Sequence, residues 1–114
     1  MATTTEEIIA RLRVELDDAR RELAEYTEEA AHPPEVELGG GSPGYATWQA
    51  AVVLRQHMEQ RVADLEDAMQ RAERGLYGRC EECAAEIPPE RLEILPFTTH
   101  CVACAARHVA RARR

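Results

Sequence analysis

Gly75-Leu76-Tyr77-Gly78-Arg79-Cys80-Glu81-Glu82-Cys83 and, further on, His100-Cys101-Val102-Ala103-Cys104 decide how this chain is read. All 4 cysteines lie in these two Cys-x-x-Cys knuckles, with 17 residues between Cys83 and Cys101. Zinc has no geometric preference of its own and takes soft sulfur ligands, and two residues between cysteines make a turn that aims both sulfurs inward. The expectation is one structural Zn²⁺ held by Cys80, Cys83, Cys101 and Cys104. Four thiolates leave no position open for water, so this metal is read as holding shape and doing no chemistry. Gly78 suits the turn into the knuckle because it adopts positive φ without steric cost. Two disulfides are the competing reading, disfavoured by the knuckle pairing and by a start that carries no cleavable leader pattern. A thioredoxin-like redox pair lacks the βαβ surroundings it needs. His100 and His108 can replace a cysteine ligand, but four cysteines already complete the shell.

Outward from the knuckles, the segment between them offers Ile87, Leu92, Ile94, Leu95 and Phe97 as a small apolar cluster, with Pro88-Pro89 and Pro96 interrupting any long helix. From Cys101 to Arg114 the pattern predicts a terminal helix with Val102, Ala105, Ala106, Val109 and Ala110 on its inner side. Its arginines suit the negative end of the helix dipole.

Upstream, Ile9, Leu12, Leu16, Ala19, Leu23, Tyr26 and Ala30 recur in steps of three and four, predicting a helix over 5–31. Thr4 with Glu7 reads as its capping box, and Pro33-Pro34 ends it. A second run, Trp48, Ala51, Arg55, Met58, Val62, Leu65, Met69, Ala72 and Leu76, predicts a helix over 47–75 that enters the first knuckle. Gly75 and Gly78 are suited to end that helix. Between them lies a tip loop over 32–46, rich in proline and glycine and expected to be mobile, in which Ser42 is a candidate helix cap. Folded back as an antiparallel hairpin, the two seams match small residues to large ones, Ala30 with Trp48, Tyr26 with Ala51, Ala19 with Met58 and Leu16 with Val62, as knobs-into-holes packing requires. Arg55 is the polar seam position, within reach of Glu22 or Glu25. The same seams serve dimerisation, but the glycine-rich connector favours a hairpin within one chain, and hence a monomer.

The predicted fold is therefore mostly α: a long antiparallel coiled-coil hairpin over 1–75, then a small four-cysteine zinc finger with a C-terminal helix over 76–114. The 114 residues amount to one domain by length, and scarce aromatics with abundant charge suit solvated helices better than a large globular core. No apolar run reaches transmembrane length, so the expected setting is cytoplasmic, with no membrane partner.

Charge narrows the function. The net charge is −7, from 21 acids against 14 arginines with no lysine, and four thiolates on a divalent ion make it more negative. Residues 1–38 hold 11 acids and 4 arginines, whereas 105–114 hold 4 arginines and no acid. Around the knuckles Glu81, Glu82, Glu86, Glu90 and Glu93 outnumber Arg79 and Arg91, and no aromatic pair is placed to stack bases, so direct nucleic-acid binding is disfavoured. His32, His57, His100 and His108 are dispersed, and no nucleophile motif, phosphate loop or open metal site is visible, so no enzyme is expected.

The pattern Gly75-x-Tyr77-Gly78-x-Cys80-x-x-Cys83, Ile87, Arg91-Leu92, Pro96 and Cys101-x-x-Cys104 resembles the zinc finger of the DksA/TraR family of bacterial transcription regulators. The resemblance covers the last third of the chain at motif level and the helical region in architecture only. It implies binding to bacterial RNA polymerase, with finger and terminal helix on the enzyme's rim and, as in longer members, the hairpin in the secondary channel. Long members carry an Asp-x-x-Asp-x-Ala tip, which is absent here, where the nearest acids are Glu28, Glu29, Glu35 and Glu37. The partner-contact candidates are Glu35 and Glu37 at the tip and Arg79 and Arg91 on the finger. A zinc-stabilised coiled-coil adaptor for another partner, or a nucleic-acid-binding finger, is the alternative.

Overall fold

The computed structural model describes residues 3–35 and 43–113. Among these residues there are four helices and no strand: α1 (Thr5–Ala30), α2 (Tyr45–Glu73), α3 (Pro89–Ile94) and α4 (Val102–Ala112). The expected mobility of the glycine-rich stretch, the cap at Ser42 and the contact at Glu37 lie outside the described residues. The chain divides into two compact units, one of residues 14–64 and one of residues 1–13 with 65–114.

In the 14–64 unit the two helices pair as the seams require. Trp48 Nε1 donates to the Ala30 carbonyl at 3.0 Å, and Arg61 Nη2 donates to Glu15 Oε2 at 3.2 Å. Partners on α1 move toward its start as α2 advances, which defines an antiparallel pair. Leu16, Ala19, Ala30, Ala51 and Val62 are buried, whereas Leu23, Tyr26, Trp48 and Met58 are half-buried. Two helices alone cover only one stripe of each other, so the larger side chains keep one flank in water. Arg55 is half-buried, but its Nε lies 3.6 Å from Glu59 on its own helix, which corrects the expected reach to Glu22 or Glu25. A partner four residues on needs no bridge across the seam.

In the other unit, α1 starts at a Thr4 cap whose hydroxyl accepts from the Glu7 N–H at 3.2 Å, the forward half of the expected capping box. Ile8, Leu12, Leu65, Ala68 and Met69 are buried together with Ile87 and Leu92 of the finger. Ile8 takes the core position assigned above to Ile9, which is half-buried. With two adjacent isoleucines, apolar spacing alone leaves the phase of the first turn open.

The end of α2 explains a second correction. Gly75 has φ +70, its N–H bonds the Ala72 carbonyl at 3.1 Å, and the Leu76 N–H bonds the Arg71 carbonyl at 2.8 Å. This crossed pair is a Schellman motif, which satisfies the last helical carbonyls and reverses the chain. The helical spacing therefore stops at Glu73, and Leu76, expected on the seam, is 46% exposed. Tyr77 is buried in its place.

Both glycines occupy the left-handed region, but their surroundings differ. A Cβ at Gly75 would meet nothing within 4 Å, whereas one at Gly78, φ +83, would lie 3.4 Å from both Leu92 Cδ1 and Thr5 Cγ2. Gly75→Ala is expected to cost the left-handed penalty alone, about 1–2 kcal/mol, and Gly78→Ala that penalty plus repacking. Urea unfolding of the zinc-loaded variants reads the difference, and equal losses would show that the close approach at Gly78 is immaterial.

Candidate metal centre

The first knuckle is built by short-range hydrogen bonds. The Ala84 N–H bonds the Cys80 carbonyl at 3.0 Å, the Cys80 N–H bonds the Ala85 carbonyl at 2.9 Å, and Ile87 N–H bonds the Gly78 carbonyl at 2.7 Å. Ala84 holds φ 60, so an alanine makes the left-handed step that closes this turn. The second knuckle begins at Cys101, the N-cap of α4, and ends one turn up at the fully buried Cys104. The Glu81 N–H bonds the Thr99 carbonyl at 2.9 Å, which joins the two halves.

All four sulfurs lie within 4.8 Å of one another, and Cys83 Sγ is 3.7 Å from Cys101 Sγ. Sulfurs on one zinc at ~2.3 Å stand about 3.8 Å apart along a tetrahedral edge, so the cluster fits the ion. All four cysteines are free, and the disulfide reading is excluded. The backbone N–H groups of Cys83 and then Cys101 pull the Cys80 thiol down to about 6, favouring the thiolate a metal takes. Burial, then the neighbouring Cys101, pushes Cys104 up to about 12, against the charge of a thiolate shut away from water. Arg107 Nη2 donates to Cys104 Sγ at 2.9 Å and offsets part of that charge.

The remaining motif residues form the support. Ile87 and Leu92 are fully buried, and Pro89 opens α3 at a position where a missing N–H costs nothing. The Tyr77 hydroxyl donates to the Pro96 carbonyl at 2.9 Å, tying the turn after α2 to the approach of the second knuckle. Burial pushes its phenol up to about 12, against the opposing pull of Arg71. Arg71 pairs with Glu81 and donates to the Arg79 carbonyl at 3.1 Å, fixing the end of α2 to the first knuckle. The role of Arg71 was not visible in the sequence.

This frame is that of a known module: residues 75–110 match the model of the prokaryotic DksA/TraR C4-type zinc finger. The segment is a DksA/TraR-type zinc finger. Its one structural zinc belongs to Cys80, Cys83, Cys101 and Cys104. Three relatives share sequence with the chain. An uncharacterized protein of Aquifex aeolicus is 43% identical over 42 residues, covering 37% of this chain and 29% of that protein. Bacillus subtilis YteA is 42% identical over 48 residues, covering 42% and 20%, and general stress protein 16O of the same organism is 28% identical over 103 residues, covering 83% and 60%. The chain thus spans between a fifth and three fifths of these relatives' lengths. The structure of transcription factor DksA2 from Pseudomonas aeruginosa has a like fold, with a TM-score of 0.72, 20% identity, and coverage of 96% of this chain and 85% of that one.

The apolar faces of the DksA/TraR-type finger depart from expectation. Ile94, Leu95 and Phe97 are 80%, 47% and 37% exposed rather than clustered with Ile87 and Leu92. α3 is only 6 residues long, and two steps beyond the buried Leu92 turn Ile94 to the opposite side. On α4 the ligand Cys104 and half-buried Ala105 face inward, while Val102, Ala106, Val109 and Ala110, expected inside, are exposed. The cysteines at Cys101 and Cys104 fix which side of this helix turns inward, and the Val102–Val109 stripe falls on another side. Of the partner-contact candidates, Arg79 and Glu35 are exposed and Arg91 is half-buried with its Nε enclosed and without a hydrogen-bond partner. Among the described residues no helix is long and apolar enough to cross a membrane.

Proposed function

We propose that this chain is a non-enzymatic, cytoplasmic regulator that binds bacterial RNA polymerase as a monomer. The observation that carries the reading is the DksA/TraR-type finger at 75–110, joined to a fold like that of transcription factor DksA2 over 96% of the chain. In this reading residues 1–75 are the module that enters the polymerase's secondary channel, and residues 76–114 dock on its surface through Arg79, Arg91 and the exposed side chains of α4. The zinc holds the docking surface in shape and takes part in no reaction.

Glu35 and Glu37 are the tip acids of this proposal. Carboxylates brought near a catalytic magnesium change its field and coordination, and these two stand in place of the family's paired aspartates. A photo-crosslinker at Glu35 in the zinc-loaded chain tests it on core polymerase. The expected product joins the tip to residues lining the secondary channel. Crosslinks confined to the outer surface would overturn the channel reading and leave finger docking standing.

The exposed Val102, Val109 and Ile94, at 62%, 53% and 80%, support a second reading, a zinc-stapled adaptor whose apolar finger surface meets another protein. Loss of polymerase binding with retained zinc would favour it.

A further inference from the structure

Beside the four sulfurs stands a second group of metal-ligating side chains that the finger does not use. Glu82, His100 and His108 bring their ligating atoms within 4.8 Å of one another. Glu82 Oε1 lies 2.7 Å from His108 Nε2, and the His100 and His108 rings meet edge to face with centroids 4.8 Å apart. We propose that Glu82, His100 and His108 form a second divalent-metal site, taking Zn²⁺ or another borderline transition ion next to the four-thiolate zinc.

The donor set is the first argument. Two imidazoles and one carboxylate suit zinc and its first-row neighbours, and three protein ligands leave further positions for water. The ion at such a site exchanges, unlike one closed in by four sulfurs. Placement is the second argument. Glu82 sits between the cysteines of the first knuckle, His100 immediately precedes Cys101, and His108 lies one turn beyond Cys104 on α4. When the thiolates close on their zinc, they carry all three residues to one place, so the second site is assembled by the first. The net negative charge of four thiolates on one divalent ion adds an attraction for a second cation.

Orientation of His100 is the third argument. Its Nδ1 lies 3.0 Å from Thr99 Oγ1. In the tautomer whose Nδ1–H donates to this hydroxyl, as a ligating histidine's other ring N–H usually does to an oxygen, Nε2 carries the lone pair that a metal takes. The Glu82–His108 pair alone, read as an ion pair, explains neither the edge-on approach of His100 nor its second-nitrogen contact. Ligand atoms on one zinc stand about 3.3 Å apart, so the ion enters by parting Glu82 and His108 roughly half an ångström and drawing His100 in. At 34% and 48% exposure, the side chains of Glu82 and His108 have room to make that adjustment.

Titration of the full metal-free chain with Co²⁺ alone, with equilibrium dialysis against a fixed free Co²⁺ concentration and elemental analysis of both compartments, tests the site. Thiolate-to-cobalt charge-transfer absorption reports the first equivalent and shows that the finger is folded. A second equivalent is expected to add weak d–d absorption without further charge transfer. His100→Ala, His108→Ala and Glu82→Gln are each expected to weaken the second equivalent at least tenfold with the charge-transfer band unchanged, while His57→Ala retains both equivalents. Should His108→Ala lose the band, His100→Ala decides, since it leaves the Glu82–His108 pair in place. One equivalent in the unaltered chain, or two in His100→Ala, would overturn the proposal and leave an ordinary ion pair.

Discussion

Cys80→Ser, or removal of zinc by a chelator, is expected to unfold the finger. Its own buried side chains are few, Tyr77, Ile87 and Leu92 with the ligands Cys80 and Cys104, and a core of that size cannot offset the ordering of some forty residues. Zinc binding to such modules supplies about 10 kcal/mol or more of folding free energy, so losing the ion exceeds the whole stability that the finger would otherwise have. Replacing one thiolate leaves three ligands and an open position, and weakens the ion's hold. Hydrogen exchange is the appropriate probe. The amides of Cys80, Ala84 and Ile87, all bonded within the finger, should lose protection in the metal-free chain. Within 14–64, whose buried residues include no cysteine, amides on the paired helices should keep theirs. Undiminished protection at Ile87 without metal would contradict this account of the finger.

Leu92→Ala is expected to be the most damaging substitution outside the ligands. Leu92 is fully buried, and its Cδ1 packs where a side chain on Gly78 would stand, 3.4 Å from that Cβ position. Leucine-to-alanine changes at such sites cost about 2–5 kcal/mol, more where the surroundings cannot collapse. Ile94→Ala, two residues along the same helix, removes an 80% exposed side chain and should stay within about 0.5 kcal/mol. Urea unfolding of both zinc-loaded variants separates them, and similar losses would mean that α3 presents its other side to the core.

That contrast shows where sequence reading ended. The zinc ligands were legible because their spacing alone restricts where four sulfurs can meet, and the long helices because a face repeated over several turns has one period. α3 and α4 are too short for the period to choose a side: the single buried Leu92 sets α3, and the knuckle cysteines Cys101 and Cys104 set α4. Leu76 leaves the seam for a local reason: the Schellman turn at Gly75 breaks the helical count one residue before it. Ala84 at positive φ left no signal, since alanine marks no turn. Glu82, His100 and His108 did leave one. Glu82 and His100 each stand next to a cysteine and His108 follows Cys104 by one helical turn, so convergence of the sulfurs implied convergence of all three.

The function proposed for this chain makes the docking finger depend on its metal and the tip depend on the docked finger. Binding to purified bacterial core RNA polymerase, measured side by side for the zinc-loaded and the chelated chain, tests both dependences at once. Saturable binding at micromolar or lower protein with zinc, lost on chelation and restored by adding zinc back, is the predicted result. No binding of the zinc-loaded chain at micromolar protein would contradict it.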